Sequence, residues 1–176
     1  MTSVTSTSLQ ELIDRADERG LAAAGLACLD RCLPLLAPER ADVLRPVWAA
    51  VARGDGDVWA EAVGKARVEL AGVGDEETDA GGVVTMVRAM LHGVPAEWAE
   101  GPLREWAGRC SGIALAVHRL YDATEAGPLH AGELRRQQAV LEAAAHGPTG
   151  LRRARDLSTE GGRVLRAVVS RRARTA

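Results

Sequence analysis

Two of the three cysteines are spaced in a way that could bind a metal ion. Cys28 and Cys32 lie four residues apart, so on a helix both thiols can point toward one soft metal such as Cu(I) or Zn(II). Zinc requires four ligands, which would have to include Cys110 and a histidine. However, each cysteine also falls within a leucine-rich stripe, and cysteine is often buried as a small hydrophobe. The sequence therefore predicts packing cysteines and no cofactor, with a metal site at Cys28 and Cys32 as the alternative.

A second group of polar residues follows one edge of a long predicted helix. His118 and Tyr121 supply an imidazole and a phenol, Ser111 a hydroxyl, and Glu125 a carboxylate. Such groups along one helix edge could line a ligand pocket between helices. They also suit an ordinary boundary between core and solvent, where amphipathic side chains bury their stems. These four residues are the predicted ligand-binding residues, and no catalytic residue is predicted.

Basic residues are concentrated toward the C-terminus. Residues 1–130 carry 12 basic and 20 acidic side chains, whereas residues 131–176 carry 10 basic and 4 acidic ones. Such a cluster can neutralise phosphates, which makes nucleic acid or another anionic partner a further alternative. No helix-turn-helix spacing or aromatic platform accompanies the cluster. The predicted anion-binding residues are Arg152, Arg153, Arg155, Arg171 and Arg172.

Two acidic sets are similar to motifs of helical enzymes. The run Asp75, Glu76, Glu77 and Asp79 resembles the aspartate-rich Mg(II) motif of prenyl-diphosphate enzymes, which are longer and carry a second metal motif. The set Glu97, Glu100, Asp122 and Glu125 resembles the paired acids of all-helical nucleotide pyrophosphohydrolases. Acids are common at helix starts and in loops. The chain also lacks a nucleophile elbow, a His-Glu-X-X-His pair and a phosphate-binding glycine loop, so a non-enzymatic protein is favoured.

The element that must position these groups is a helix between Gly101-Pro102 and Gly127-Pro128. Its apolar residues alternate three and four apart, which places them on one face and predicts lengthwise packing against neighbouring helices. The stripe consists of Leu103, Trp106, Cys110, Ile113, Val117, Leu120 and Thr124. Any pocket is expected along the neighbouring polar edge through Ser111, His118 and Glu125, rather than on the stripe.

Other signals divide the rest of the chain into helices. The Ser8 and Glu11 pair forms a capping box that predicts the first helix start, with a break at Gly20. The segment 21–36 is apolar on most of its circumference and is expected to be central, together with 102–124. Two helices, 151–157 and 160–172, are predicted at the C-terminus, with a bend around 158–162. No alternating run indicates a useful strand.

These patterns predict an all-α, single-domain helical bundle of about seven to nine helices. The 176 residues are 47% hydrophobic and 26% charged, as expected for one globular domain. The predicted organisation is a disordered lead at 1–7, one helical domain at 8–172 with its basic part at 131–172, and a frayed tail at 173–176. No segment approaches the roughly 20 apolar residues of a membrane span. The N-terminus also lacks an apolar signal region, so a cytoplasmic protein is expected; a bacterial source is a separate expectation.

The functional prediction is a non-enzymatic interaction or regulatory protein that binds another protein or a second copy of itself. Its competitor is a bundle that binds a small ligand or metal between helices. An exposed apolar patch of several hundred square ångströms would favour the first class. A polar-lined cavity would favour the second.

Overall fold

A computed structural model describes residues 2–40, 42–73, 82–124 and 127–175, with side chains from residue 9 onward. The described residues form eight helices and no strand, which confirms the predicted all-α bundle. The helices are α1 (Thr2–Arg15), α2 (Glu18–Leu36), α3 (Arg45–Arg53), α4 (Gly56–Leu70), α5 (Val83–His92), α6 (Glu100–Tyr121), α7 (Pro128–Ala144) and α8 (Pro148–Thr175).

The first two helices meet earlier than the sequence predicts. α1 is already helical from Thr2, rather than from Ser8, whose side chain lies outside the described set. The break falls at residues 16–17 and not at Gly20, because Asp17 caps α2 by accepting a hydrogen bond from the Gly20 backbone N–H. A carboxylate at this position satisfies an amide that the helix leaves free. Gly20 itself lies in the first turn of α2.

Helix α2 is the centre of the bundle and contacts α3, α5, α6, α7 and α8. It approaches α6 closely at Gly25, where a Cβ would fall 2.4 Å from the Trp106 ring. Trp106 is buried and donates its indole N–H to the Met90 carbonyl, while its ring packs edge-on against Trp59. The absence of a side chain at Gly25 therefore lets a large aromatic ring reach the α2 backbone.

Helix α6 buries most of the predicted stripe but not its last members. Leu103, Trp106, Cys110 and Val117 are buried, whereas Leu120 is 48% exposed and Thr124 lies beyond the helix end. A strict 3.5-residue repeat drifts by about 20° per heptad on a straight α-helix. Over three heptads the stripe turns by about 60°, so Leu120 faces solvent while the buried face of α6 takes in Ser111 and His118 beside Val117.

Helix α8 is one continuous helix of 28 residues, where the sequence predicts two with a bend. Its Gly161 and Gly162 fall at the predicted bend but lie buried against α2. Packing against another helix thus stabilises a glycine pair that would weaken an isolated helix. The helix also continues to Thr175, through most of the predicted frayed tail.

Among the described residues, no helix combines the length and apolar character that crossing a membrane requires.

Candidate functional site

An open groove of about 360 Å³ lies between α2, the segment leading into α3, and α8. This volume is within the usual range for small-molecule sites, roughly 300–1,000 Å³. One wall is apolar and the other is rich in arginine. The lining residues are Asp30, Leu33, Pro34, Ala37, Asp42, Leu44, Arg45, Trp48, Arg155, Ser158, Thr159, Gly162, Arg163 and Arg166.

The basic wall is one face of α8. Arg155, Gly162, Arg163 and Arg166 follow at spacings of seven, one and three residues, which places them on one side of a helix. A Cβ at Gly162 would be in ordinary contact with the Arg31 carbonyl oxygen at 3.8 Å, whereas a Cβ at Gly161 would fall 2.4 Å from Arg31 Cδ, so Gly161 is the residue that lets α8 lie close to α2. The groove therefore depends on α8 remaining helical through its glycine pair.

Four arginines and two aspartates line the groove, and two of the arginines already have partners. Arg45 pairs with Asp42 at 3.1 Å on the surface. Arg166 donates to the Pro38 carbonyl at 3.3 Å and so ties α8 to the loop after α2. Arg155 and Arg163 make no ion pair or side-chain hydrogen bond with the described residues. Their guanidinium groups are the ones available to a ligand.

Opposite Arg155, Asp30 on α2 is held by Trp48 of α3. The Trp48 indole N–H donates to Asp30 Oδ2 at 3.0 Å. Burial raises the pKa of the Asp30 carboxyl, against the opposing effects of this hydrogen bond and of the Arg155 charge. Asp30 and Arg155 thus carry opposite charges in the same groove, but they are not among the described ion pairs within 4.0 Å.

The next residue along α2, Arg31, points to the other side, into the core. It forms a two-pronged ion pair with Glu133 of α7, at 2.8 Å from Nε to Oε2 and 2.6 Å from Nη2 to Oε1. Both side chains are completely buried. Burial alone would raise the pKa of Glu133, but the Arg31 charge, His118 and the hydrogen bonds from Arg31 and Gln137 outweigh it and lower that pKa. Glu133 is thus ionised at neutral pH.

Two of the predicted ligand-binding residues belong to this buried network. The Ser111 hydroxyl donates to Gln137 Oε1 at 2.5 Å, and Gln137 donates to Glu133 Oε1 at 2.9 Å. His118 Nδ1 lies 2.7 Å from the Ala114 carbonyl, which only accepts, so Nδ1 carries the proton. The cavity beside Ser111 has a volume of only about 10 Å³, at most the space of one water molecule.

The imidazole of His118 is poorly matched to its neighbour. With the proton on Nδ1, the free electron pair of Nε2 lies 3.4 Å from Glu133 Oε2, and Nε2 has no hydrogen-bond partner among the described residues. Burial lowers the pKa of His118, and this outweighs the attraction of the Glu133 charge. The neutral ring is therefore the form that the fold stabilises.

The remaining predicted site residues are dispersed. Tyr121 is half-buried, and burial raises the pKa of its phenol. Arg172 lies over its ring at 5.4 Å and donates to the Tyr121 carbonyl at 2.8 Å, so it caps the C-terminus of α6. Glu125 lies outside the described residues. Of the five predicted anion-binding arginines, Arg155 alone lines the groove, whereas Arg152, Arg153 and Arg171 are exposed elsewhere on α8.

The three thiols are all free and buried. Burial raises the pKa of Cys28 to about 12 and raises the pKa values of Cys32 and Cys110 as well. A cysteine must be ionised to a thiolate to bind a metal, and this buried environment disfavours the thiolate. Within the described ranges, no group of three or more His, Cys, Asp or Glu side chains is arranged to hold a metal ion.

The acidic sets do not converge in the described part of the chain. The run at 75–79 lies outside it. Glu100 pairs with Arg104 at 3.6 Å, whereas Asp122 accepts the backbone N–H groups of Leu129 and His130 at the start of α7. These carboxylates stabilise helix ends.

Sequence reasoning missed Asp30, which lines the groove, and Arg31, which forms the buried ion pair with Glu133. Asp30 and Arg31 interrupt an otherwise apolar helix, and a charged pair within such a helix is itself a signal, because buried charges require partners. Trp48 carried no comparable signal, since its contact with Asp30 joins different helices.

Comparisons with protein-family models, curated proteins and solved structures found no match to this chain.

Proposed function

We propose that this chain is a non-enzymatic binding protein that takes a small anionic ligand in the groove between α2, α3 and α8. The observation that carries the proposal is that Arg155 and Arg163 face an open cavity without partners among the described residues. Guanidinium groups match carboxylates and phosphates with two parallel hydrogen bonds. A regulatory role is compatible with ligand binding, because another molecule can bind the ligand-bound and ligand-free states differently.

The hydroxyls of the groove support binding rather than catalysis. Ser158 donates to the Ala154 carbonyl at 3.0 Å, and Thr159 donates to the Arg155 carbonyl at 3.2 Å. No imidazole or thiol lies among the lining residues. A nucleophile needs an adjacent base to activate it, and the described lining offers neither an available hydroxyl nor a base directed at one.

Surface composition favours the ligand-binding class over a protein interface. In the described part of the chain, the exposed large hydrophobic residues are Val68 of α4 and Leu120 of α6. Two residues on different helices do not make the patch of several hundred square ångströms that marks many interaction sites. The groove is a cavity with a polar wall, which is the feature expected of a bundle that binds a small ligand between its helices. Interaction with a protein partner remains a prediction from the sequence.

Calorimetric titration with sodium 3-phenylpropanoate, a carboxylate with an apolar body, tests the proposal. Replacing Arg155 or Arg163 by Gln removes a charged hydrogen bond of about 1.5–3 kcal/mol, so we expect each variant to bind at least about tenfold more weakly. Arg152→Gln and Arg153→Gln are matched controls, because they remove the same charge from exposed positions of α8 outside the groove. Equal weakening by all four substitutions would refute the site.

Binding of duplex DNA or RNA is the alternative for the same arginine-rich helix. It predicts a mobility shift that is strongest at low ionic strength and weakens as salt rises. Under that alternative, Arg152→Gln and Arg153→Gln reduce binding as much as Arg155→Gln does, because phosphate contacts act largely through charge. Absence of a shift at low ionic strength would exclude this alternative.

A further inference from the structure

The groove contains opposite charges that face each other without closing into an ion pair. Asp30 lies on α2 and Arg155 on α8, and both line the cavity. Arg155 attracts the Asp30 carboxylate, yet the described ion pairs within 4.0 Å do not include these two residues. A ligand that fits between them needs a negative group toward Arg155 and a hydrogen-bond donor toward Asp30.

Trp48 leaves one oxygen of Asp30 available for such a donor. The indole N–H occupies Oδ2, and Oδ1 accepts no hydrogen bond from a described residue. Three buried side-chain atoms of the described residues lack a hydrogen-bond partner: Arg31 Nη1, Arg104 Nε and His118 Nε2. Asp30 Oδ1 is not one of them, so it is accessible from the groove. The carboxylate is therefore fixed on one side and open on the other. An ionised carboxylate oxygen only accepts hydrogen bonds, so its ligand partner must be a donor.

We propose that the ligand is an apolar amino acid or hydroxy acid, with an ammonium or hydroxyl group beside its carboxylate, and that Asp30 binds this donor. The inference rests on the proposed anion site, since Arg155 must bind the ligand's carboxylate. Pro34, Leu44 and the Trp48 ring supply the apolar wall against which the ligand's side chain packs. A ligand of this kind pairs both charges of the groove and covers its apolar wall.

Three acids that share a phenyl ring and a carboxylate test the role of Asp30. They are 3-phenylpropanoate, L-3-phenyllactate with an added hydroxyl, and L-phenylalanine with an added ammonium. A charge-assisted hydrogen bond to Asp30 should make L-phenylalanine bind about tenfold or more tightly than 3-phenylpropanoate. L-3-phenyllactate should fall between them, because a neutral donor forms a weaker bond to a carboxylate.

The variant Asp30→Asn keeps an oxygen for the Trp48 indole and removes the negative charge. We expect it to bring the affinities of the three acids to within about threefold of one another, chiefly by weakening L-phenylalanine binding. Binding of 3-phenylpropanoate should be unchanged or stronger, because its carboxylate no longer meets a like charge. Asp42→Asn is the matched control, since Asp42 lines the same groove but pairs with Arg45; it should retain the wild-type preference.

The outcomes separate this inference from the function on which it rests. Binding of all three acids by the wild type with equal affinity, and weaker binding by Arg155→Gln, would overturn the role of Asp30 and leave the anion site standing. Retention of the full L-phenylalanine preference in Asp30→Asn would also overturn it. Binding of none of the acids would overturn both.

Discussion

The buried ion pair between Arg31 and Glu133 gives the most demanding test of how this bundle is held together. Glu133→Gln keeps the size of the side chain and removes its charge, which leaves the Arg31 guanidinium fully buried without a counter-charge. Breaking a buried pair in this way costs about 3–5 kcal/mol. Arg31 has little capacity to adapt, because its Nη1 already lacks a hydrogen-bond partner among the described residues.

Urea unfolding followed by circular dichroism measures this cost. In thermal unfolding, the same loss of 3–5 kcal/mol lowers the Tm of a chain of this length by about 6–20 °C. Glu105→Gln is the control, because it breaks the exposed pair between Glu105 and Arg109, and such helical pairs contribute about 0.3–0.5 kcal/mol. The double variant Arg31→Met with Glu133→Leu should recover most of the loss, since apolar residues of similar size replace buried pairs at little cost.

The pH dependence provides a second readout of the same pair. The pKa of Glu133 is lowered from 4.5 in the folded chain, so the contribution of its ionised form is fully present above about pH 4.5. It is lost as the pH falls through the lower folded pKa. The stability difference between wild type and Glu133→Gln should therefore narrow in acid. A cost below about 1 kcal/mol at neutral pH, or a double variant no more stable than the single one, would refute this reasoning.

Two further predictions follow from the packing of α6. Gly25→Ala should destabilise the fold by about 1–3 kcal/mol, because its Cβ would fall 2.4 Å from the Trp106 ring; Gly108→Ala in exposed helix should instead stabilise it by about 0.5–1 kcal/mol. Urea midpoints distinguish them, and equal effects would contradict the close approach. The lowered pKa of His118 means that stability should fall as the pH drops below 6.5 and toward the folded pKa, by up to about 1.4 kcal/mol per pH unit. His118→Gln should remove this slope between about pH 8 and pH 5, and an unchanged slope would argue against the assignment.

The periodic apolar residues were enough to predict the helices, because burial of one face is a property of a single segment. The approach of the Trp106 ring to Gly25 is a contact between two helices, which the pattern of either helix alone does not contain. The apolar pattern failed at Leu120, near the C-terminus of α6, since the drift of a 3.5-residue repeat accumulates along the helix. The predicted bend in α8 was wrong, because the glycine pair Gly161 and Gly162 packs against α2, and the sequence of α8 alone does not show this contact.

The sequence predicted the residues of the groove less well than it predicted the fold. Arg155 was predicted to bind anions, but so were Arg152 and Arg153, which have the same chemistry and point elsewhere. What distinguishes Arg155 is the position of α8 on α2, and that depends on contacts between residues more than a hundred positions apart. For the same reason, His118 was predicted to line a pocket, whereas it lies buried beside Glu133, which comes from another helix.

The continuity of α8 links the groove mechanically to the far end of α6. Ten residues after Gly162, at about 1.5 Å each, Arg172 lies over Tyr121 and caps its carbonyl. Tyr121 is the only tyrosine in the chain, so its ring signals in a nuclear magnetic resonance spectrum belong to one site. A shift of α8 as a rod would change the Arg172 stacking, which makes Tyr121 an intrinsic probe of the groove at a distance of about 15 Å along the helix.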